Sequence, residues 1–317
     1  MDDSTQDSSP QQIGGYRLDS DAEAIRYEAG WQSVARDAPR QLYVHSWRPD
    51  SDLTSSGLSA TAQLGHIAIV HGLGEHGGRY DSLARRFCQR GFSVHAFDQQ
   101  GHGQSRQPRG LIESYESMLD DISHFLKWVG KQGAPVFLFG HSMGGNLVLN
   151  HALRVSDGYQ AVVSSSPMIR AQRAPGRVAE WLLRWWSRMR PRATMTSNVV
   201  PERLMNNPAE IAAFEADTLF HSTLSLKLGA ALIDSGRWAL KHANELSVPL
   251  LLSHGDTDVL TCPQASQQFA ETSSKYCEFH LWPDFLHDPF RCLASDQVVD
   301  RFADFFRRNV EDSGAAE

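Results

Sequence analysis

The chain is poor in the features that mark several large classes of protein. No apolar run approaches the roughly 20 residues of a membrane-spanning helix. Its start is acidic and rich in Ser and Gln, where a secretory signal would be basic and then apolar. Only four cysteines occur, Cys88, Cys262, Cys277 and Cys292, and none forms a C-x-x-C pair. That scatter argues against a disulfide framework or zinc site and favours reduced, buried thiols, so a cytoplasmic setting is expected. Positive charge is also short. The formal charge is −7, and residues 1–30 supply most of it through Asp2, Asp3, Asp7, Asp19, Asp21, Glu23 and Glu28 against Arg17 and Arg26. The rest is nearly neutral, so no nucleic-acid partner is expected. There is no internal repeat, and the composition leaves the oligomeric state open.

What the chain does have is core. Apolar residues make up 41% of it, enough for one large α/β domain. Residues 1–15 are expected to be a disordered acidic tail. Gln41 to Trp47 reads as a strand stopped by Pro49, and a Ser/Thr-rich loop follows from Asp50 to Thr61. Short apolar runs then appear at His66 to Val70, Ser93 to Phe97, Val136 to Phe139, Ala161 to Ser164 and Pro249 to Ser253, as in strands buried on both faces. Helical stretches separate them, at Arg79 to Arg90, Tyr115 to Val129 and Asn146 to Val155. This alternation predicts a mostly parallel sheet with helices on both sides. No strand pattern shows between Ser165 and Leu246, which reads as a helical cap, residues 165–246, inserted into a core of 16–164 and 247–317. A last strand is expected near Glu278 to Trp282 and a closing helix from Gln297 to Asn309.

Gly140-His141-Ser142-Met143-Gly144-Gly145 follows an apolar run directly. A serine in a G-x-S-x-G frame between strand and helix is the layout of a nucleophile elbow. A serine hydroxyl is a weak nucleophile, and it needs a histidine to take its proton and a carboxylate to orient that histidine. In this arrangement the acid follows a late strand and the histidine the last one. Asp258, in His254-Gly255-Asp256-Thr257-Asp258, and His287, in Pro283-Asp284-Phe285-Leu286-His287, are the candidates. Asp256 competes for the acid role; the H-G-x-x-D frame favours Asp258 and leaves Asp256 as a loop-capping side chain. The oxyanion donors are expected to be the backbone N–H groups of Met143 and of Leu73 in His71-Gly72-Leu73-Gly74. The run Asp98-Gln99-Gln100-Gly101-His102-Gly103-Gln104-Ser105 reads as a structural turn beside that loop.

Gly72-Leu73-Gly74-Glu75-His76-Gly77 is also a literal G-x-G-x-x-G, with Asp98 near the place of a ribose-binding acid. A dinucleotide site would require those glycines to open a helix, and the run instead continues through Gly78-Arg79-Tyr80. A nucleotide-binding oxidoreductase is therefore the remote alternative. A catalytically dead scaffold has no support, because every triad position is filled.

Four pieces, His71 to Tyr80 (H-G-x-G-E-H-x-x-R-Y), Asp98 to Ser105, Gly140 to Gly145 and His254 to Asp258, make the chain resemble the monoacylglycerol lipase and lysophospholipase group of α/β-hydrolases. The resemblance runs over about residues 40 to 309. It implies an α/β-hydrolase fold, the triad Ser142, Asp258 and His287, the oxyanion donors Leu73 and Met143, and an acyl-ester lipid substrate; two-step acyl transfer on that triad needs neither metal nor cofactor. Monoacylglycerol hydrolysis is the first expectation, and lysophospholipid or small-ester and thioester hydrolysis on the same triad is the alternative. The acidic tail departs from the family core, as does Leu286-His287-Asp288-Pro289, where a glutamate-bearing helix start is more usual.

Within the cap, Val178 to Arg190 reads as a helix whose apolar residues Trp181, Trp185, Val178, Met189, Leu182, Trp186, Ala179 and Leu183 cover an arc of about 200°. Seven arginines and one acid, Glu180, lie between Arg170 and Arg192. Two readings stand: a lipid-facing surface through which the cap contacts a membrane, with Trp181, Leu182, Trp185 and Met189 near substrate, or ordinary cap core with a solvated arginine face.

Overall fold

The computed structural model describes residues 25–34, 41–50, 63–197, 199–273 and 275–314. The expected acidic tail and the Ser/Thr-rich segment after Asp50 lie outside them. In chain order the elements are β1 (Ile25–Ser33), β2 (Gln41–Pro49), β3 (Gly65–Val70), α1 (Asp81–Cys88), β4 (Phe92–Phe97), α2 (Tyr115–Gly130), β5 (Val136–His141), α3 (Met143–Arg154), β6 (Ala161–Ser165) and α4 (Arg177–Met189). They continue with β7 (Thr194–Thr196), α5 (Pro208–Ala216), β8 (Thr223–Ser225), α6 (Leu226–Lys241), β9 (Leu250–Gly255), α7 (Pro263–Thr272), β10 (Cys277–Trp282) and α8 (Asp296–Gly314).

Eight strands form one sheet in the order β1-β2-β4-β3-β5-β6-β9-β10. β1 pairs antiparallel with β2, and β2 with β4; every later pairing is parallel. The central strands are buried at every residue, which is why each reads as an apolar run without alternation. Successive side chains still point to opposite faces. Ala68, Val70, Leu138, Val162 and Leu252 join the core under α2, α3, α6 and α7. Ile67, Ile69, Phe137, Phe139, Val163 and Leu251 join the core under α1 and α8.

Local chemistry accounts for the covering helices. Ser114 caps α2, accepting from Ser117 N while the Ser117 hydroxyl accepts from Ser114 N. Met118, Leu119, Ile122, Phe125, Leu126 and Val129 then fall on one buried face. Ser225 caps α6 through Leu228 N, and Leu228, Leu232 and Ala239 of that helix enter the same core as α3.

Two features differ from the sequence reading. β1 was not anticipated: all nine residues of this edge strand are half-buried or exposed, and it carries Gly30, so it shows no apolar run. The segment 165–246 is not purely helical, because β7 and β8 pair as a short antiparallel ribbon. Three-residue strands leave no periodic signal to find.

Candidate active site

The parallel strands deliver their carboxyl ends to one edge, the usual place for a site in an open α/β sheet. β3 leads into His71–Gly74, β4 into Asp98–Ser105, β5 into Ser142, β9 into Asp258 and β10 into the loop bearing His287.

Ser142 sits at φ 56°, ψ −113°, a conformation that a side-chain-bearing residue avoids. The turn is held from three sides. Ser142 N donates to Ser165 O at 2.9 Å, and Ser142 O accepts from Asn146 N at 2.9 Å and Met168 N at 3.0 Å. α3 begins at the next residue and crosses β3 so closely that a Cβ on Gly144 would strike the Val70 carbonyl, so only glycine fits there. Ser142 itself is half-buried.

Asp258 and His287 meet directly. His287 Nδ1–H donates to Asp258 Oδ2 at 2.7 Å. The same oxygen accepts from His254 Nε2 at 3.0 Å and from Thr261 Oγ1 at 2.6 Å, while Oδ1 accepts from Leu260 N at 2.7 Å and Thr261 N at 3.0 Å. Burial alone would raise the Asp258 pKa. The His287 charge and the bonds from His254 and His287 outweigh it and hold the carboxyl far below its usual range. An ionised Asp258 fixes the proton of His287 on Nδ1 and leaves Nε2 as a lone pair. Burial likewise acts to lower the His287 pKa, but Asp258, with smaller help from Asp288 and Glu75, raises it above the ordinary histidine value.

Among the described residues no hydrogen bond joins Ser142 Oγ to His287 Nε2. Such contacts are often long without substrate. His141, which precedes Ser142, has its ring 4.9 Å from that of His287. Leu73 and Met143 flank Ser142 on the loop after β3 and at the start of α3. Neither backbone N–H has a protein acceptor among the described residues.

Asp256 is exposed, and its carboxylate accepts from Asp284 N at 2.7 Å, which ties the β9 loop to the β10 loop. Asp98 is saturated by His45 Nε2 (3.0 Å), Gly77 N (2.8 Å) and Gln104 N (2.7 Å). Gln99 clamps His71, donating from its N to His71 Nε2 at 3.0 Å and from its amide to His71 O at 2.6 Å. The run Gly72–Gly77 opens no α-helix; a 3₁₀ turn, Gly77–Tyr80, separates it from α1. After His287 a 3₁₀ turn at Pro289–Arg291 precedes α8. The segment before α6 is stitched onto these loops: His221 N donates to Gly74 O at 3.0 Å, Ser225 N to Gly110 O at 3.1 Å, and His221 Nε2 to Gly101 O at 2.9 Å.

Two groups bring potential metal-ligand atoms within 4.8 Å of one another, His45 with His76 and Asp98, and His141 with His287 and Asp288. In each a histidine–carboxylate hydrogen bond already joins two members, at 3.0 and 2.8 Å. Sequence reasoning missed His254 and Thr261 as further partners of Asp258, and the buried ions Glu75, Asp288 and Arg291. The i, i+4 spacing of His254 and Asp258 was the one available signal.

Residues 61–291 match the sequence profile of the family described as serine aminopeptidase, S33. The chain belongs to that family. Among its relatives is an uncharacterized abhydrolase domain-containing protein of Dictyostelium discoideum, 30% identical over 250 residues, covering 78% of this chain and 27% of that protein. The chain thus spans about a quarter of that relative's length. The monoacylglycerol lipase of Mycolicibacterium smegmatis is 28% identical over 258 residues, covering 80% of this chain and 88% of the lipase. The crystal structure of Paleococcus ferrophilus monoacylglycerol lipase superposes with a TM-score of 0.75 at 28% identity, covering 85% of this chain and all of that one. This S33-family protein is an α/β-hydrolase, with the mostly parallel sheet and covering helices expected from its sequence. No helix among its described residues is long and apolar enough to cross a membrane.

Proposed function

We propose that the protein hydrolyses the glycerol ester of monoacylglycerols through an acyl-enzyme on Ser142. The observation that carries this reading is the 2.7 Å bond from His287 Nδ1 to Asp258, on the loops after β10 and β9, together with the strained turn at Ser142 after β5. The relatives named as monoacylglycerol lipases support the choice of substrate class. His287 Nε2 takes the Ser142 proton as Oγ attacks the ester carbonyl. The N–H groups of Leu73 and Met143 receive the negative charge that develops on the carbonyl oxygen. His287 then protonates the departing glycerol oxygen, and a water activated by the same nitrogen releases the fatty acid and regenerates Ser142.

In this reading residues 165–246 form the cap, and residues 16–164 and 247–317 the hydrolase core. The cap meets the lipid surface through α4. Trp181, Trp185 and Met189 are 62, 45 and 64% exposed and Leu182 41%, whereas the only acid of the helix, Glu180, is buried against Arg237 and Arg184. An amphipathic helix with its apolar side outward and arginines nearby suits an anionic interface. The free thiols fit a cytoplasmic location.

A fluorophosphonate probe is expected to label the wild-type protein and not Ser142→Ala. Monoolein should be turned over faster than lysophosphatidylcholine or short p-nitrophenyl esters. An unlabelled wild-type protein would refute the serine chemistry, and preference for lysophosphatidylcholine would refute the substrate.

A further inference from the structure

A chain of buried charges behind the His287 loop takes no part in the chemistry just described. At one end Glu75 Oε2 accepts from Gly72 N and from Tyr80 OH, both at 2.9 Å. Glu75 Oε1 accepts from Arg291 Nη1 at 2.8 Å and Arg79 Nε at 3.2 Å. The same Arg291 nitrogen donates to Asp288 Oδ2 at 2.7 Å, and Nη2 donates to the Arg79 carbonyl at 3.0 Å. At the other end Asp288 Oδ1 accepts from His141 Nε2 at 2.8 Å. The side chains of Asp288, His141 and Arg291 are 2, 2 and 3% exposed, and that of Glu75 is 9% exposed.

Ions this dry are poor devices for stability alone, since apolar replacements of similar volume often do as well. What the chain of ions does is span. Its first link holds Gly72, next to Leu73. Its last holds His141, which precedes Ser142 and packs its ring on His287, while Asp288 follows His287 in sequence. Residues up to 216 apart along the chain are thereby fixed to one another, and each fixed point adjoins a proposed catalytic group.

The geometry points to Asp288 and Arg291 as positioning residues that lock the His287 ring and the oxyanion loop into one register, an inference that rests on the Ser142–His287 reading. Arg291 is suited to the task because Nη1 serves both carboxylates while Nη2 reaches the Arg79 carbonyl, a spread of donors wider than one ammonium nitrogen covers. The titratable and charged groups around His287 come from every neighbouring element: His254 at the end of β9 and Asp258 just after it, His141 at the end of β5, Glu75 on the oxyanion loop, and Asp288 and Arg291 beyond His287 itself. Of these Asp288 is the carboxylate nearest in sequence, and it contributes to the raised His287 pKa.

Asp288→Asn keeps an acceptor for His141 and removes the link to Arg291. It is expected to lower kcat on p-nitrophenyl butyrate about 100-fold, the scale of a misplaced catalytic group, with KM little changed. The fluorophosphonate labelling rate should fall in parallel. Losing a nearby anion should also move the acid limb of the labelling-rate profile to lower pH, which a purely structural defect would not do. Arg291→Lys, which keeps the charge but not the second nitrogen, should lose less than Asp288→Asn; if Asp288→Asn gives no cooperative thermal transition, Arg291→Lys decides on kcat, KM and labelling rate, with the acid limb expected to stay in place. Wild-type labelling with an unmoved acid limb, or a rise in KM alone, would overturn the inference. A wild-type protein that takes no label would overturn the serine-hydrolase reading and this inference with it.

Discussion

Replacing Asp258 by asparagine tests the core of the proposed site most sharply, because the five donors around that carboxylate leave an amide no acceptable pose. If the amide oxygen stays at Oδ1 to serve Leu260 N and Thr261 N, the NH₂ group faces His287 Nδ1, His254 and the Thr261 hydroxyl. His287 must then accept at Nδ1 and carry its proton on Nε2, the tautomer that cannot deprotonate Ser142. If the amide flips, its NH₂ meets two backbone N–H groups that have nowhere else to donate. Either pose costs kcat about 10⁴-fold, the known scale for a triad aspartate turned to asparagine, equivalent to roughly 5 kcal/mol of barrier. Steady-state hydrolysis of a p-nitrophenyl ester and the pseudo-first-order rate of fluorophosphonate labelling measure the loss, and circular dichroism checks that the variant is folded. Asp256→Asn, on the exposed carboxylate that caps Asp284, should remain close to wild type. Asp258→Asn within about tenfold of wild type, or the larger loss in Asp256→Asn, would refute the reasoning.

Three further outcomes follow from the same geometry. His287 must be neutral to act as base and its pKa is raised, so the acid limb of kcat/KM should fall above the roughly 6.5 of an unperturbed histidine, with activity lost as pH drops through it; a limb well below that value would contradict the Asp258 pairing. Gly144→Ala drives a methyl into the Val70 carbonyl and should lower stability by about 1–3 kcal/mol, or prevent folding, read as a drop in thermal midpoint; an unchanged midpoint would mean that α3 can shift off β3. Trp185→Glu should slow turnover of monoolein in anionic vesicles while leaving a soluble butyrate ester unaffected; equal effects on both substrates would return α4 to the role of ordinary cap core.

The parts of this site visible in the sequence are those fixed by local backbone demands. The elbow needs its glycine-flanked serine, the buried strands need their apolar runs, and Asp258 follows a strand at a short, recognisable offset. Hidden were the contacts made between distant segments. Nothing near Glu75 announces Arg291, and nothing in the order of the chain says that His141 backs His287. The cap was legible only as a helix with a broad apolar arc, and which side of that arc faces outward depends on α6, which buries Glu180 with Arg237 instead of a tryptophan. β1 went unseen because an exposed edge strand stabilised by its neighbour's backbone needs no apolar run of its own.

The main-chain bonds from His221 and Ser225 to the loops after β3 and β4 bear on how a path to Ser142 can open. Gly74, next to Leu73, is tied to His221, and Gly110 to Ser225, so this stretch of the insertion cannot move away from the loop bearing the proposed oxyanion donor without breaking those bonds. Lifting it would drag the Leu73 amide away from the reaction centre. α4 is in turn fastened to α6, the helix that starts after Ser225, by Arg184 to Asp234 and by Arg237 to Glu180, so it cannot swing away without breaking those pairs.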